Sequence, residues 1–210
     1  MTERVYASLK EAIVSLKVRP RDYLIIGEVA KHYNISRTPV REAIILLEQE
    51  GWVENEGRRG AKVTVPSVQQ VMEVIEMQAV LESYVVRQAI SQVTDLELEL
   101  LSQILTQAEA ALAQGDLDLS IDLGNQFHDT LAIRAGNQRI GSQIIQLRQH
   151  MDRVRPLIWK VTQAPVEESA RQHRQILKAV VDRDSMEAER LMMKHTLWFE
   201  AELAAALEHV

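Results

Sequence analysis

The order of apolar and polar residues divides the chain into two stretches with different rhythms. From residue 3 to residue 17 apolar side chains recur at helical spacing, with Val5, Leu9, Ala12, Ile13 and Leu16 on one face. Pro20 follows and disfavours helical backbone in the residue before it. A second short helix is predicted from Ile26 to Tyr33, with Val29 and Ala30 inward. A third runs from Ser36 to about Glu50, where Gly51 stops it. The Ser36 hydroxyl is expected to cap a free first-turn amide, and Pro39 falls in that turn, where a missing N–H is tolerated. Ala43, Ile44, Ile45 and Leu47 are this helix's expected buried side. Two β-prone runs, around Val53 and around Val63, flank a glycine-bounded turn from Glu56 to Gly60 and predict a hairpin. Three helices followed by such a hairpin make a winged helix-turn-helix.

Beyond the short linker Pro66-Ser67 the strand rhythm disappears. Six helices are predicted, at about 68–92, 94–113, 117–135, 138–160, 166–183 and 185–208. Thr94-Asp95-Leu96-Glu97 has the spacing of a capping box, Pro165 suits a first turn, and Gly115 and Gly136 fall between segments. The expected architecture is mainly α. A winged helix-turn-helix occupies residues 1–66, and an antiparallel α-helical bundle for effector binding and dimerisation occupies 67–210. Aliphatic stripes such as Leu96, Leu100, Ile104 and Leu105 are expected to hold the bundle.

Composition narrows the chemistry. Apolar residues make up 46% of the 210 but aromatic ones only 4%, so the core must be aliphatic. With no cysteine, disulfides and thiolate metal sites are excluded. No stretch approaches the roughly 18 apolar residues of a membrane span and no signal-peptide pattern is seen, so a cytoplasmic protein without membrane contact is expected. The net charge is −6, unevenly spread: residues 1–66 hold 11 Lys and Arg against 9 Asp and Glu, leaving 13 against 21 for the rest. A basic head on an acidic body fits a specific DNA binder better than a general nucleic-acid coat.

Ser36-Arg37-Thr38-Pro39-Val40-Arg41 supplies the reading chemistry. Arg37 and Arg41 are four apart and share one face, where guanidinium forks can meet guanine edges and phosphates. Arg58 and Arg59 stand at the hairpin tip, where a wing meets the minor groove or a phosphate; a solvated basic turn is the alternative. In the body, His128, His173 and His195 lie on three predicted helices beside apolar residues, and three imidazoles can converge in a bundle to bind a divalent cation. Spacing alone is weak evidence, because a lone helical histidine is more often a surface or core residue. His32, His150 and His209 have no partner at ligand spacing. No HExxH or comparable motif supplies a general base, so a metal hydrolase is poorly supported.

Together these residues resemble the GntR family of bacterial transcription regulators, in its FadR-like subfamily with a helical FCD domain. Ser36 to Ala43, Glu50-Gly51 and Gly60 carry the N-terminal resemblance; Phe127-His128, Gly136-Asn137, His173 with Ile176-Leu177, and Met192 with His195 carry the C-terminal one. It implies that Arg37 and Arg41 contact guanines or phosphates, that Thr38 holds a phosphate, and that Gly60 lets the wing approach the groove. It also implies a metal, often zinc, nickel or manganese, held by His128, His173 and His195 with an aspartate one turn before the first. The chain departs from that pattern at three places. Arg21 stands where a glycine is usual. Gly124 stands at the aspartate position; Asp122 points to another face, and Asn125 offers only a weak carbonyl. Gln78 stands where an effector-binding arginine is common, which leaves Arg148, Arg153 and Arg155 as candidate anchors.

The expected function is therefore a homodimeric regulator, a repressor rather than an enzyme. It binds a palindromic double-stranded operator under the control of a small metabolite, such as an organic acid. Three rivals are a regulator with the cation itself as effector, a small hydrolase, and an adaptor that no longer reads DNA.

Overall fold

The computed structural model describes the backbone of residues 1–65, 67–159 and 164–207, and the side chains among them except those of Arg58 and of residues 152–159, 164–165 and 199–207. The chain separates into two compact units, Met1–Ser67 and Val68–Val210.

The first unit comprises α1 (Thr2–Val14), β1 (Tyr23–Leu24), α2 (Ile26–Tyr33), α3 (Arg37–Gln49), β2 (Val53–Asn55) and β3 (Ala61–Val63). Its sheet has the order β1-β3-β2, antiparallel throughout, pairing Leu24 with Ala61 and Val53 with Val63. The hairpin is thus backed by a third strand, β1, too short to show a rhythm in sequence. Val5, Leu9 and Ile13 of α1 meet Val40, Ala43, Ile44 and Leu47 of α3 over a buried Trp52. The period of α3 therefore starts one turn earlier than expected: Val40 is buried, whereas Ile45, about 100° round the helix from Ile44, is 44% exposed. α1 stops at Val14 rather than 17. Leu16 turns left-handed, the Val18 amide donates to the Ala12 carbonyl, and Val18 folds back onto the core.

Ser36 occupies the N-cap position of α3 with extended backbone, but its hydroxyl makes no capping hydrogen bond. That expectation is corrected. Ser36 is exposed, so water can satisfy both the hydroxyl and the first-turn amides.

The second unit is a bundle of α4 (Val68–Ala89), α5 (Asp95–Ala113), α6 (Leu117–Arg134), α7 (Gln138–Trp159), α8 (Ala164–Val181) and α9 (Ser185–Leu207). α4 packs along α9 and against α6 and α7, while α5 packs against α6 and α8. Phe127, Leu131, Ile176, Met192, Leu101 and Leu105 fill the centre. The stripe of α5 runs through Leu101, Ile104, Leu105 and Ala108; Leu96 and Leu100, expected inside, are 76% and 47% exposed. A face begun at Leu101 keeps helical spacing through Leu105 and Ala108, whereas Leu96 lies in the first turn, beside the cap. There the Glu97 carboxylate accepts hydrogen bonds from the Thr94 amide and hydroxyl.

Candidate DNA-reading face and metal centre

On α3 the four buried residues face the core and leave Arg37, Thr38 and Arg41 exposed on the outer side. Among the described residues neither guanidinium is engaged in an ion pair. The helix is held from behind by Glu50, whose carboxylate accepts from the Tyr6 hydroxyl at 2.6 Å, Lys10 Nζ at 2.7 Å and Trp52 Nε1 at 2.9 Å. This clamp joins α1, the end of α3 and the start of the wing. Burial pushes the Glu50 carboxyl up, but the bonds from Lys10, Tyr6 and Trp52 outweigh it and leave the group below the usual range.

At the wing tip, Gly57–Arg59 form a single 3₁₀ turn. Arg59 is exposed, 4.0 Å from a Glu56 that is already held by Lys62 and Tyr23. The Arg58 side chain lies outside the described residues. Gly60 has a reason of its own: φ is 102°, and a β-carbon there would stand 2.8 Å from the Leu24 carbonyl oxygen. Closure of β1 on β3 requires this glycine.

In the bundle, α6, α8 and α9 bring His128, His173 and His195 together, all buried. Nε2 of His173 lies 3.0 Å from Nε2 of His128 and 3.1 Å from Nε2 of His195. The outer faces of the rings are committed elsewhere. His195 Nδ1 is 2.8 Å from Gln172 Oε1, and the Gln172 amide group donates to Glu168, which fixes its oxygen toward the histidine. His195 therefore keeps its proton on Nδ1 and presents the Nε2 lone pair inward. On the other side, His128 Nδ1 lies 3.0 Å from Glu82 Oε2, at ion-pair distance though without the alignment of a good hydrogen bond. Burial, then the charges of His195, His128 and Arg148, press His173 well below the imidazole range. Burial and His128 likewise lower His195 to about 3.

These rings fit a divalent cation. Zn–N bonds of about 2.0–2.1 Å imply tetrahedral N···N edges of about 3.3 Å, close to both separations found. One proton on His173 Nε2 cannot fully satisfy two facing lone pairs, whereas a cation satisfies all three rings.

A cavity of about 110 Å³ opens beside the histidines. Gln78, Asn125 and Arg148 line it, as do Glu82, Gly124 and Thr196. Arg148 is buried and donates to Asp129 at 2.6 Å and to the Asn125 carbonyl at 3.2 Å, with Glu82 at 3.5 Å. Gln78 donates to Glu82 at 2.9 Å. Burial opposes ionisation of Glu82, but His128, Arg148 and Gln78 outweigh it and hold the carboxyl well below its usual range. The side chains of Arg153 and Arg155, and all of His209, lie outside the described residues; His32 is exposed and His150 half-buried. Sequence reasoning missed Glu82 and Gln172 as site residues. Gln172 adjoins His173 in sequence yet serves His195, a relation that only the packing of α8 on α9 creates.

Comparison with known proteins places both units. The family model described as "Bacterial regulatory proteins, gntR family" matches residues 1–63, and the FCD domain model matches residues 73–197. The chain is 32% identical over 195 residues to the HTH-type transcriptional repressor RspR of Escherichia coli K12, covering 93% of this chain and 85% of that protein. It is 26% identical over 191 residues to an HTH-type transcriptional regulator, YdhC, of Bacillus subtilis, covering 90% and 85%. The fold matches E. coli McbR/YncC with a TM-score of 0.80 over 97% of each chain at 21% identity. A GntR regulator from Rhodococcus sp. RHA1 matches at 0.73, again over 97% of each, at 23% identity.

This is a transcriptional regulator rather than an enzyme. It belongs to the GntR family of bacterial regulatory proteins and carries the FCD domain. Among the described residues no helix is long and apolar enough to cross a membrane.

Proposed function

We propose that the chain works as a homodimeric, ligand-controlled repressor. Each winged helix reads one half of a two-fold symmetric operator, and the bundle binds a divalent metal and a small organic acid. The observation that carries the reading is the outer face of α3, where Arg37, Thr38 and Arg41 stand exposed and, among the described residues, neither guanidinium is in an ion pair. Arg37 and Arg41 are assigned to guanine edges or phosphates, Ser36 and Thr38 to phosphate, and Arg58 and Arg59 to the wing contact with the adjacent groove. Gly60 shapes the wing that carries them. RspR, a relative named as a repressor, supports the sign of control.

For the input, His128, His173 and His195 hold zinc, nickel or manganese. Gln78, Asn125 and Arg148 line the cavity for the acid. Arg153 and Arg155 remain further candidates on α7. A bound cation would supply Lewis-acid anchorage for a carboxylate; the chain's own part is to orient the rings through Glu82 and Gln172 and to exclude water. Dimerisation is supported by an exposed apolar stripe on α4, Met77, Val80 and Tyr84, at helical spacing.

The test is a gel-shift titration at fixed salt with an operator selected from random duplex. Arg41→Ala should lose at least about fivefold in specific affinity, since one bidentate contact supplies roughly 1–3 kcal/mol of discrimination. Unchanged operator affinity removes the assignment.

A further inference from the structure

Ile45 is 44% exposed on α3, whose Val40, Ile44 and Leu47 are buried, and neither the core nor the arginines account for it. At about 100° per residue, it projects about 40° from Arg41 and about 20° from Thr38, well inside the outer face. Leu46, 38% exposed, is placed differently. It lies about 40° round the helix from Glu42, on the side that borders α1. There the Glu42 carboxylate accepts from the Thr2 hydroxyl at 2.6 Å. Ile45 is thus the aliphatic side chain on the face that carries Arg37, Thr38 and Arg41.

The rise from Arg41 to Ile45 is about 6 Å, close to two base steps of about 3.4 Å. A helix laid along the major groove with Arg41 on one base pair therefore carries Ile45 over a near neighbour of that pair. Isoleucine has neither donor nor acceptor, so it cannot read the hydrogen-bonding pattern of a base edge. The apolar group that the groove does present is the C5-methyl of thymine. A β-branched side chain in a helix holds its χ1 rotamer nearly fixed, so Ile45 offers a preset methyl surface with little entropy left to lose.

We propose that Ile45 is a specificity-determining residue of the reading helix, which selects a thymine near the base pair engaged by Arg41 through contact with the thymine methyl group. This rests on the reading of DNA by α3 proposed above. Arginine forks sort bases by their hydrogen-bonding edges. Ile45 adds a preference of another kind, because it separates thymine from uracil, whose hydrogen-bonding edge is the same.

The experiment takes the duplex that the full-length protein selects and replaces each thymine in turn with deoxyuridine. Affinity is then measured by fluorescence anisotropy at one salt concentration. For the wild type, the exchange at one thymine of each half-site should weaken binding about threefold to fourfold, the effect of one buried methyl group. Ile45→Ser should bind the thymine and uracil duplexes equally at that position, and Ile45→Val, which keeps the branch, should retain most of the discrimination. Wild-type binding that ignores the exchange at every thymine overturns the proposal and leaves the reading of DNA intact. So does a selected half-site without thymine, or equal sensitivity in the wild type and Ile45→Ser. Failure to select any sequence overturns the reading of DNA and this inference together. Should Ile45→Ser fail to fold, judged by circular dichroism, Ile45→Gln, a better helix former, takes its place in the same comparison.

Discussion

Gly60 and Arg21 sit on opposite sides of one problem, how a short chain turns tightly around a three-stranded wing. Gly60 has φ of 102° with the Leu24 carbonyl where a β-carbon would be, so Gly60→Ala should destabilise the first unit by about 2 kcal/mol, read from urea unfolding. An unchanged midpoint would refute that role. Arg21 adopts φ of 75° with its amide bonded to the Val63 carbonyl, a left-handed conformation that costs an ordinary residue about 1–2 kcal/mol. Arg21→Gly should therefore stabilise the unit, by about 1 kcal/mol once glycine's extra chain entropy is discounted. The departure noted in sequence as a missing glycine is thus a strained turn. The departure at Gly124 is different in kind, because a β-carbon there would stand 3.1 Å from His173 Cε1.

At the scale of elements, the clamp on Glu50 fastens α3 to α1 and to the wing. Its carboxyl lies below the usual range in the fold, so the stabilisation it brings is present above its unfolded value, near 4.5, and is lost as pH falls through the folded one. Glu50→Gln should lower the thermal midpoint of the first unit at pH 7 and flatten its decline below about pH 4.5. Parallel curves for the two proteins would contradict the clamp. Elements were the most legible part of the sequence. Capping at Thr94, the stops at Gly51 and Gly115 and the helical rhythm located the long helices to within a few residues, because those signals are local. β1 was not legible, since two residues carry no period and their pairing with β3 is made from outside. Hydrophobicity alone points Ile45 and Leu96 inward, because it does not set the phase of a face; Val40 and Leu101 set it. The convergence of the three histidines was suggested by their placement on three helices and strengthened by resemblance. Glu82 and Gln172 left no trace, because they act on the histidines across helix contacts with no fixed spacing in the chain.

At the scale of the molecule, the two units, Met1–Ser67 and Val68–Val210, would be coupled through dimerisation under the function proposed above. Met77, Val80 and Tyr84 place apolar surface on α4, and Val80→Glu should shift the sedimentation of the protein toward monomer and weaken binding to a two-site operator more than to a half-site. Unchanged sedimentation would move the interface elsewhere. DNA reading by α3 is tested by selection from random duplex with the full chain, followed by titration of wild type and Arg41→Ala at one salt concentration. The wild type should enrich a sequence with two-fold symmetry, and Arg41→Ala should lose at least about fivefold of its preference for that sequence over a scrambled one. Failure to enrich any sequence, or equal preference in the two proteins, would contradict it.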